Sequence, residues 1–113
     1  MDPRVSSRLA ELLAPAVVAA AAAALTRLVD ALCTTPVGVT AIREPELAWE
    51  RHVLDALRGV EELDRCPDGP VVDVGSGGGV PGLVLGAVRP GRPLHLVEAT
   101  ARKADFLLSL IHI

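Results

Sequence analysis

A short apolar run in the middle of the sequence leads without a gap into a cluster of glycines, Val71-Val72-Asp73-Val74-Gly75-Ser76-Gly77-Gly78-Gly79-Val80-Pro81-Gly82. The β-branched run is typical of a strand buried on both faces of a parallel sheet. Glycines permit positive φ and let a ligand approach where a Cβ would clash. Pro81 opens a predicted helix, whose first turn offers unpaired N–H groups and a positive dipole end. This order predicts a ligand site at the carboxyl end of a parallel strand.

The residues after this loop predict a second unit of the same kind. Arg89-Pro90-Gly91 ends the first helix, and residues 94–97 form a second strand closed by Glu98. Thr100 is the predicted N-cap of a helix that runs from Ala101 to Leu110. Strand, helix, strand and helix together make a βαβ unit, whose crossover is expected to be right-handed.

The first part of the chain, residues 5–65, reads as helical. A helix from Arg4 to Leu32 is expected to restart at Pro15, residues 33–40 form a loop, and Pro45 suits the first turn of the next helix. That helix has a charged stripe opposite an apolar one, Arg51, Asp55, Arg58 and Glu62 against Trp49, Val53, Ala56 and Val60. We therefore predict an α/β chain, with a helical N-terminal extension at 1–66 and a βαβα unit at 67–113.

Composition excludes several classes of function. The chain has 113 residues, 11 Lys and Arg, 14 Asp and Glu, and a net charge of −3, which argues against a strong non-specific phosphate binder. Aromatic residues make up only 2%, too few for a base-stacking platform on nucleic acid. Cys33 and Cys66 form no CxxC motif, so we expect neither a disulfide framework nor a zinc site, but two buried thiols in a reducing cytosol.

The apolar stretch near the N-terminus raises the question of a membrane segment. Residues 12–26 carry no charge, but a spanning helix needs about 20 predominantly apolar residues. The stretch is alanine-rich and interrupted by Pro15, and Asp2 and Glu11 do not suit the basic region of a signal peptide. We therefore predict a water-soluble helix, built mostly of the best helix former.

The identity of the ligand at the glycine loop stays open at this point. Gly77-x-Gly79-x-x-Gly82 matches the dinucleotide pattern, but in the register of Gly75 the sixth position is Val80. The Asp73 carboxylate would repel a pyrophosphate and attract a cationic ligand such as S-adenosylmethionine, which carries an ammonium and a sulfonium. Glu98 can accept hydrogen bonds from the ribose of either ligand. Spacing therefore favours S-adenosylmethionine over a dinucleotide, with a tight turn that binds nothing as the third possibility.

Three motifs in order carry a family resemblance: Thr40-Ala41-Ile42-Arg43-Glu44-Pro45-Glu46, then Arg51-His52-Val53-Leu54-Asp55-Ala56-Leu57, then residues 72–82. Together they resemble the bacterial 16S rRNA guanine-N7 methyltransferases, also called the glucose-inhibited division protein B family. The similarity continues through Arg89-Pro90 and residues 96–98 to Arg102-Lys103-x-x-Phe106-Leu107, and covers about residues 37–108.

The resemblance implies a helical extension on a seven-stranded Rossmann-like domain that uses S-adenosyl-L-methionine to methylate N7 of a guanine in 16S rRNA. The implied partner is therefore 16S rRNA in the small ribosomal subunit, in the cytoplasm. By resemblance Gly75 and Val80 line the cofactor pocket and Glu98 holds the ribose. The residues themselves add Asp73, Gly77 and Gly79 as cofactor-binding candidates. We expect no metal site, no membrane partner and a monomer.

No catalytic acid or base is expected, because guanine N7 is nucleophilic without deprotonation and positioning of the methyl group suffices. The candidates for contact with rRNA phosphates are basic residues at or within the helix after Pro45 and in the last helix. They are Arg43, just before that helix, with Arg51, His52, Arg58, Arg102 and Lys103. Each has a plainer alternative: a solvated charged stripe for Arg51 and Arg58, capping or packing for His52, and ordinary surface charge for Arg102 and Lys103. His95 is expected to be packed within its strand.

The sequence departs from the family in three places. Gly38-Val39-Thr40 stands where the family usually has Asn-Leu-Thr, and the alanine run at 19–24 is not family-like. Family members run to about twice this length, and Ser109-Leu110-Ile111-His112-Ile113 reads as an arbitrary end. We therefore expect the N-terminal half of such an enzyme, inactive by itself. Two other functions stay open, a fragment of a nicotinamide-dependent oxidoreductase and a non-enzymatic helical interaction module.

Overall fold

The computed structural model describes residues 1–111, in which the helix that connects two parallel strands packs against their sheet and other helices pack against that helix. Positions 112 and 113, which end the predicted second unit and the predicted tail, lie outside the described residues. The expectation of an α/β chain is confirmed at this level.

The first two helices meet at Pro15, as predicted. Helix α1 spans Pro3–Leu12 and is capped by Asp2, whose carboxylate accepts a hydrogen bond from the Arg4 backbone N–H at 2.8 Å. Helix α2 spans Pro15–Thr34, with proline in its first turn, where no N–H is needed. One stripe of α2 is buried against α1, the third helix and the helix after β1: Ala21, Leu25, Leu28, Val29 and Leu32.

Helix α2 is longer than the uncharged stretch of residues 12–26 that was expected to be too short to cross a membrane. Pro15 does not interrupt the apolar run but begins a helix of 20 residues. Within it an 18-residue window has a mean hydropathy of 1.8, so the helix is long and apolar enough to cross a membrane by length and composition. The expectation that this stretch is too short to cross a membrane is therefore wrong. The helix lies near the N-terminus, and its buried stripe belongs to the hydrophobic core of the described residues.

The next helical stretch begins at Pro45 and runs without a break through three segments. These are α3 (Pro45–Ala48), a π-helical segment (Trp49–Leu54) and α4 (Asp55–Leu57), after which α5 (Val60–Arg65) follows Gly59. The two predicted faces are confirmed, since the four apolar residues are buried and the four charged ones exposed: Trp49, Val53, Ala56 and Val60 against Arg51, Asp55, Arg58 and Glu62. The π-helical segment was not predicted.

The sheet consists of β1 (Val71–Val74) and β2 (Leu94–Val97), with Val71 opposite Leu94 and Val74 opposite Val97. Helix α6 (Gly82–Val88) connects them, and α7 (Ala101–Ile111) follows, one residue longer than predicted. The expectation that β1 is buried on both faces is wrong. In the described residues α6 packs against the sheet, while the valines that point to the other face are exposed. His95 also lies exposed on β2, so its predicted packing is wrong.

Two arginines, whose contacts the sequence did not predict, join the turn after α6 to the helices. The Arg89 guanidinium binds both carboxylate oxygens of Asp64 at 2.8 Å and reaches the Leu12 carbonyl at 3.3 Å. This ion pair lowers the pKa of Asp64. Arg92 donates to backbone carbonyls at the end of α5 and in the following turn, those of Leu63, Cys66, Pro67 and Gly69. The turn at residues 67–69 is thus stabilised by an arginine from the second unit.

Both cysteines are free thiols. Cys33 is half-buried on α2, and burial raises its pKa. Cys66 is exposed directly after α5, so the expectation that both thiols are buried is wrong for this one.

Candidate functional site

The candidate site lies at the carboxyl ends of the two strands. The loop 75–81 leaves β1, and Glu98 directly follows β2. The amides of Gly75 and Ser76 donate to the Val97 carbonyl at 2.7 and 3.0 Å, so the loop continues the strand pairing before it turns away. Ser76 is buried, and its hydroxyl donates to the Asp73 carbonyl at 2.8 Å. The two strand ends are thereby held side by side, as predicted.

Three glycines of the loop need positive φ, Gly75 at 73°, Gly77 at 53° and Gly79 at 88°. Residues with a Cβ rarely adopt this conformation. A Cβ on Gly75 would meet nothing within 4 Å, so this position faces open space. Gly79 is buried against the core instead, and Val80 is half-buried beside it. Of the loop residues predicted to bind a cofactor, Gly75 therefore has the most open surroundings.

Asp73 has a partner inside the protein. Its Oδ2 accepts a hydrogen bond from the Gly82 amide at 3.0 Å, and the carboxylate thus caps the first turn of α6. A Cβ on Gly82 would lie 2.5 Å from this oxygen and 2.7 Å from Leu96. In the sequence, Gly82 is the last glycine of the pattern Gly77-x-Gly79-x-x-Gly82, which matches dinucleotide-binding loops. The structure gives it a second reason, the close approach of α6 to both strands.

The first turn of α6 offers fewer free amides than expected. Pro81 has no N–H, the Gly82 amide is bound by Asp73, and the Leu83 amide donates to the Gly79 carbonyl at 2.7 Å. The expectation of unpaired N–H groups is therefore wrong for these positions. Because such groups are what holds a phosphate at a helix start, this turn is poorly suited to a pyrophosphate.

Glu98 is held in place by backbone amides from both sides. Its Oε1 accepts from Gly77 N–H at 2.8 Å and its Oε2 from Thr100 N–H at 2.9 Å. The bond from Thr100 is the largest cause that lowers the pKa of Glu98, followed by the bond from Gly77, with a smaller contribution from Lys103. The carboxylate is therefore ionised at neutral pH. An apolar cavity of about 200 Å³ lies beside it, lined by Leu96, Ala104, Leu107, Leu108 and Ile111.

A segment from the helical part lies against the glycine loop. A Cβ on Gly78 would come within 2.8 Å of the Leu32 side chain and within 3.5 Å of both the Cβ and the carbonyl of Val39. Val39 belongs to the connection between α2 and α3. The site thus has one wall from the helical part, which neither composition nor spacing indicated.

The candidates for RNA contact do not form one cluster. Arg51 and Arg58 are exposed on the charged stripe, where Arg58 pairs with Asp55 at 3.3 Å. Arg43 is exposed, and its guanidinium donates to the Leu32 carbonyl at 3.2 Å.

The remaining three candidates lie in different surroundings. His52 is half-buried, its Nε2 lies 3.0 Å from the Thr40 hydroxyl, and burial lowers its pKa. Arg102 borders an open cavity of about 360 Å³ between α7 and the connection after α2, whereas Lys103 is half-buried on the Glu98 side. Among residues 1–111, no group of three or more His, Cys, Asp or Glu side chains could hold a metal ion.

Comparison with known proteins gives one consistent result. A family model described as "GidB: rRNA small subunit methyltransferase G" matches residues 21–113. A protein named ribosomal RNA small subunit methyltransferase G from Granulibacter bethesdensis is 49% identical over 74 residues, which is 66% of this chain and 34% of that protein. A protein of the same name from Sorangium cellulosum is 45% identical over 73 residues, 64% of this chain and 30% of that protein.

A third relative of that name, from Salinispora arenicola, is 44% identical over 75 residues, 66% of this chain and 30% of the relative. The chain thus spans about a third of the length of the curated relatives it matches. No solved structure matches it. The match to the family model begins at residue 21, so the similarity includes most of α2 and is wider than residues 37–108.

Proposed function

This chain belongs to the GidB family, rRNA small subunit methyltransferase G, and from that premise we propose that its glycine loop binds S-adenosyl-L-methionine for methyl transfer to ribosomal RNA. One observation carries the proposal. The open, positive-φ backbone of Gly75 lies at the end of β1, and the ionised Glu98 carboxylate lies at the end of the neighbouring strand. A backbone approach and a fixed carboxylate at adjacent strand ends are what a nucleoside ligand needs in a sheet of this kind.

The carboxylate of Glu98 fits a ribose. Each of its oxygens accepts one backbone hydrogen bond and has further acceptor capacity, because an ionised carboxylate offers about four lone-pair sites. The two backbone bonds fix the orientation of the group before a ligand arrives. Two vicinal hydroxyls could then donate to it without displacing either amide.

The carboxylate of Asp73 fits the amino-acid end of the cofactor. Oδ2 is used by Gly82, whereas Oδ1 has no hydrogen-bond partner in residues 1–111. This oxygen could accept from an ammonium group. The rest of the cradle would be the loop itself, with Gly75, Gly77, Gly79 and Val80 as the lining residues.

A dinucleotide fits this site less well. The first amides of α6 are already bonded within the protein, and the Asp73 carboxylate lies against the helix start, where its negative charge would repel a pyrophosphate. S-adenosylmethionine carries no phosphate and loses nothing by this arrangement. The geometry therefore favours it over a nicotinamide cofactor.

When bound, the cofactor supplies a methyl group on a sulfonium. We extend the proposal to N7 of a guanine in 16S rRNA of the small subunit, in a cytoplasmic Rossmann-like enzyme, on the resemblance of the sequence motifs. Guanine N7 has a free lone pair, so the chain's residues need to bind and orient the two reactants but not to move a proton. Basic side chains are the proposed phosphate contacts, the exposed Arg43, Arg51, Arg58 and Arg102 and the half-buried Lys103.

Titration calorimetry tests the cofactor site with S-adenosylhomocysteine and NAD as ligands. We expect binding of the first and none of the second. The Gly75→Val variant should abolish binding, because a branched side chain would fill the open space over the loop and oppose positive φ. Gly69→Val is the matched control, since Gly69 also has positive φ and open surroundings but lies before β1. Affinity of Gly75→Val within threefold of the parent would mean that the loop is only a turn.

The ribose contact has its own variant. Glu98→Ala should weaken S-adenosylhomocysteine binding at least about tenfold, since a hydrogen bond to a charged group contributes roughly 1.5–3 kcal/mol. Glu62→Ala, an exposed glutamate on α5, is the control and should bind as the parent does. Unchanged affinity of Glu98→Ala would remove this residue from the site, and binding of NAD alone would reverse the assignment of the ligand.

A further inference from the structure

The connection between α2 and α3 forms part of the wall behind the glycine loop, yet it contains no helix or strand of its own. Val39 of this connection approaches the loop, since its carbonyl and its Cβ each lie 3.5 Å from the position that a Cβ on Gly78 would take. The neighbouring Leu32 side chain completes this wall from the end of α2. Where Val39 lies therefore decides how much room the glycine loop has.

Few bonds hold Val39 in place. Its own amide donates to the Val37 carbonyl at 2.9 Å, a contact within the connection. The next residue, Thr40, provides the link to a helix. Its hydroxyl lies 3.0 Å from His52 Nε2 and also accepts the Ile42 amide at 3.1 Å.

His52 connects Thr40 to a helix that is packed in the core. It lies half-buried on the π-helical segment, at the border between the solvent and the buried side that carries Trp49 and Val53. Burial keeps the imidazole neutral at physiological pH, and a neutral ring can donate to or accept from a hydroxyl. Neither His52 nor Thr40 is among the nearest neighbours of the loop glycines.

We infer that Thr40 and His52 are a positioning pair, whose hydrogen bond fixes Val39 against Gly78 and so sets the shape of the glycine loop. The inference rests on the proposed function only in calling that loop a cofactor site. It gives His52 a role within the protein instead of RNA contact, because its Nε2 is engaged with the Thr40 hydroxyl. It also gives the helical part of the chain a direct share in the site.

Amide hydrogen exchange in the ligand-free chain tests the pair without any cofactor. Gly77 N–H and Gly79 N–H report on the loop, since they donate to Glu98 at 2.8 Å and to the Ser76 carbonyl at 2.7 Å. Thr40→Val removes the hydroxyl and keeps the shape of the side chain. We expect exchange at both glycines to accelerate about fivefold to tenfold, the factor that corresponds to the loss of one hydrogen bond.

Three further variants separate positioning from a general loss of stability. Thr40→Ser and His52→Gln keep hydrogen-bonding groups at the two positions. In each of these variants the exchange rates at Gly77 and Gly79 should stay within threefold of the parent. Thr26→Val removes a hydroxyl that donates to the Ala22 carbonyl at 2.8 Å on α2, far along the chain from the connection, and should leave the glycine amides unchanged.

The inference is overturned if Thr40→Val leaves exchange at Gly77 and Gly79 within threefold of the parent, or if Thr26→Val accelerates it equally. Affinity for S-adenosylhomocysteine, measured on the same variants, distinguishes this from a failure of the proposed function. A parent chain that does not bind the ligand would refute the cofactor site, while the exchange result would still decide whether Thr40 and His52 position the loop.

Discussion

Helix α2 and strand β1 are both rich in apolar residues, but the structure buries them very differently. Leu32 on α2 is 1% exposed, whereas Val74 on β1 is 78% exposed. The apolar residues of α2 that matter repeat at helical spacing and lie on one face, so the pattern itself indicates which side is covered. In β1 valines occupy both faces, so the pattern does not say whether one face or both will be covered. Apolar content alone is therefore a poor guide to burial in this chain.

The largest expected effect comes from the helical side of this comparison. Leu32→Ala should lower the free energy of unfolding by about 2–5 kcal/mol, because it leaves a cavity in the core. Val74→Ala should cost under about 1 kcal/mol, since the residue is already exposed. Urea denaturation of both variants checks this. Equal costs at the two positions would mean that the outer face of β1 is covered after all.

Two glycines sharpen the comparison at the border between the regions. Gly82→Ala should destabilise the chain by about 1–3 kcal/mol, since its Cβ would collide with Asp73 and Leu96. Gly75→Ala meets no atom and should cost roughly 1–2 kcal/mol through its positive φ alone. Gly38→Ala, which has neither problem, serves as the control and should be nearly neutral. A neutral Gly82→Ala in thermal melts would contradict the close approach of α6 to the strands.

A pH series tests the strand ends. The pKa of Glu98 is lowered in the folded chain by its two backbone hydrogen bonds, so the folded state binds its proton less readily than the unfolded state does. The stabilisation is complete above the ordinary range of a glutamate and is lost as the pH falls through the lowered value. We expect the stability difference between the parent and Glu98→Gln to shrink on acidification. A difference that does not change with pH would show that the ionised form of Glu98 contributes nothing.

The smallest effect on stability is expected on the open face of the sheet. Val72→Thr, Val74→Thr and Val97→Thr keep the β-branched shape, and each should change the free energy of unfolding by less than about 0.5 kcal/mol. The triple variant should bind less of a hydrophobic dye and self-associate less, because the three valines form an exposed apolar surface. Light scattering and dye fluorescence measure both. Unchanged self-association of the triple variant would mean that the chain associates through a different surface.

The sequence predicted the order of the elements well because each has a local signal. Pro15 and Pro45 each begin a helix, and β2 has the predicted bounds. The glycine loop and Glu98 were predicted to meet because parallel strands end at the same edge of a sheet, and they do so through a hydrogen bond between Gly77 and Glu98. Their role in binding a cofactor stays a prediction.

The features that can be predicted from the residues alone are thus local: where helices start, which helical face is apolar, and where backbone freedom is needed. The side chains that meet over long separations in the sequence are determined by how the elements pack. This packing placed Val39 against Gly78, tied Thr40 to His52, and set Arg89 on Asp64 and Arg92 on the end of α5. It also left one face of the sheet exposed in the described residues. The physical reason is that propensity and periodicity act within a few residues, whereas contacts of this kind depend on how complete elements pack.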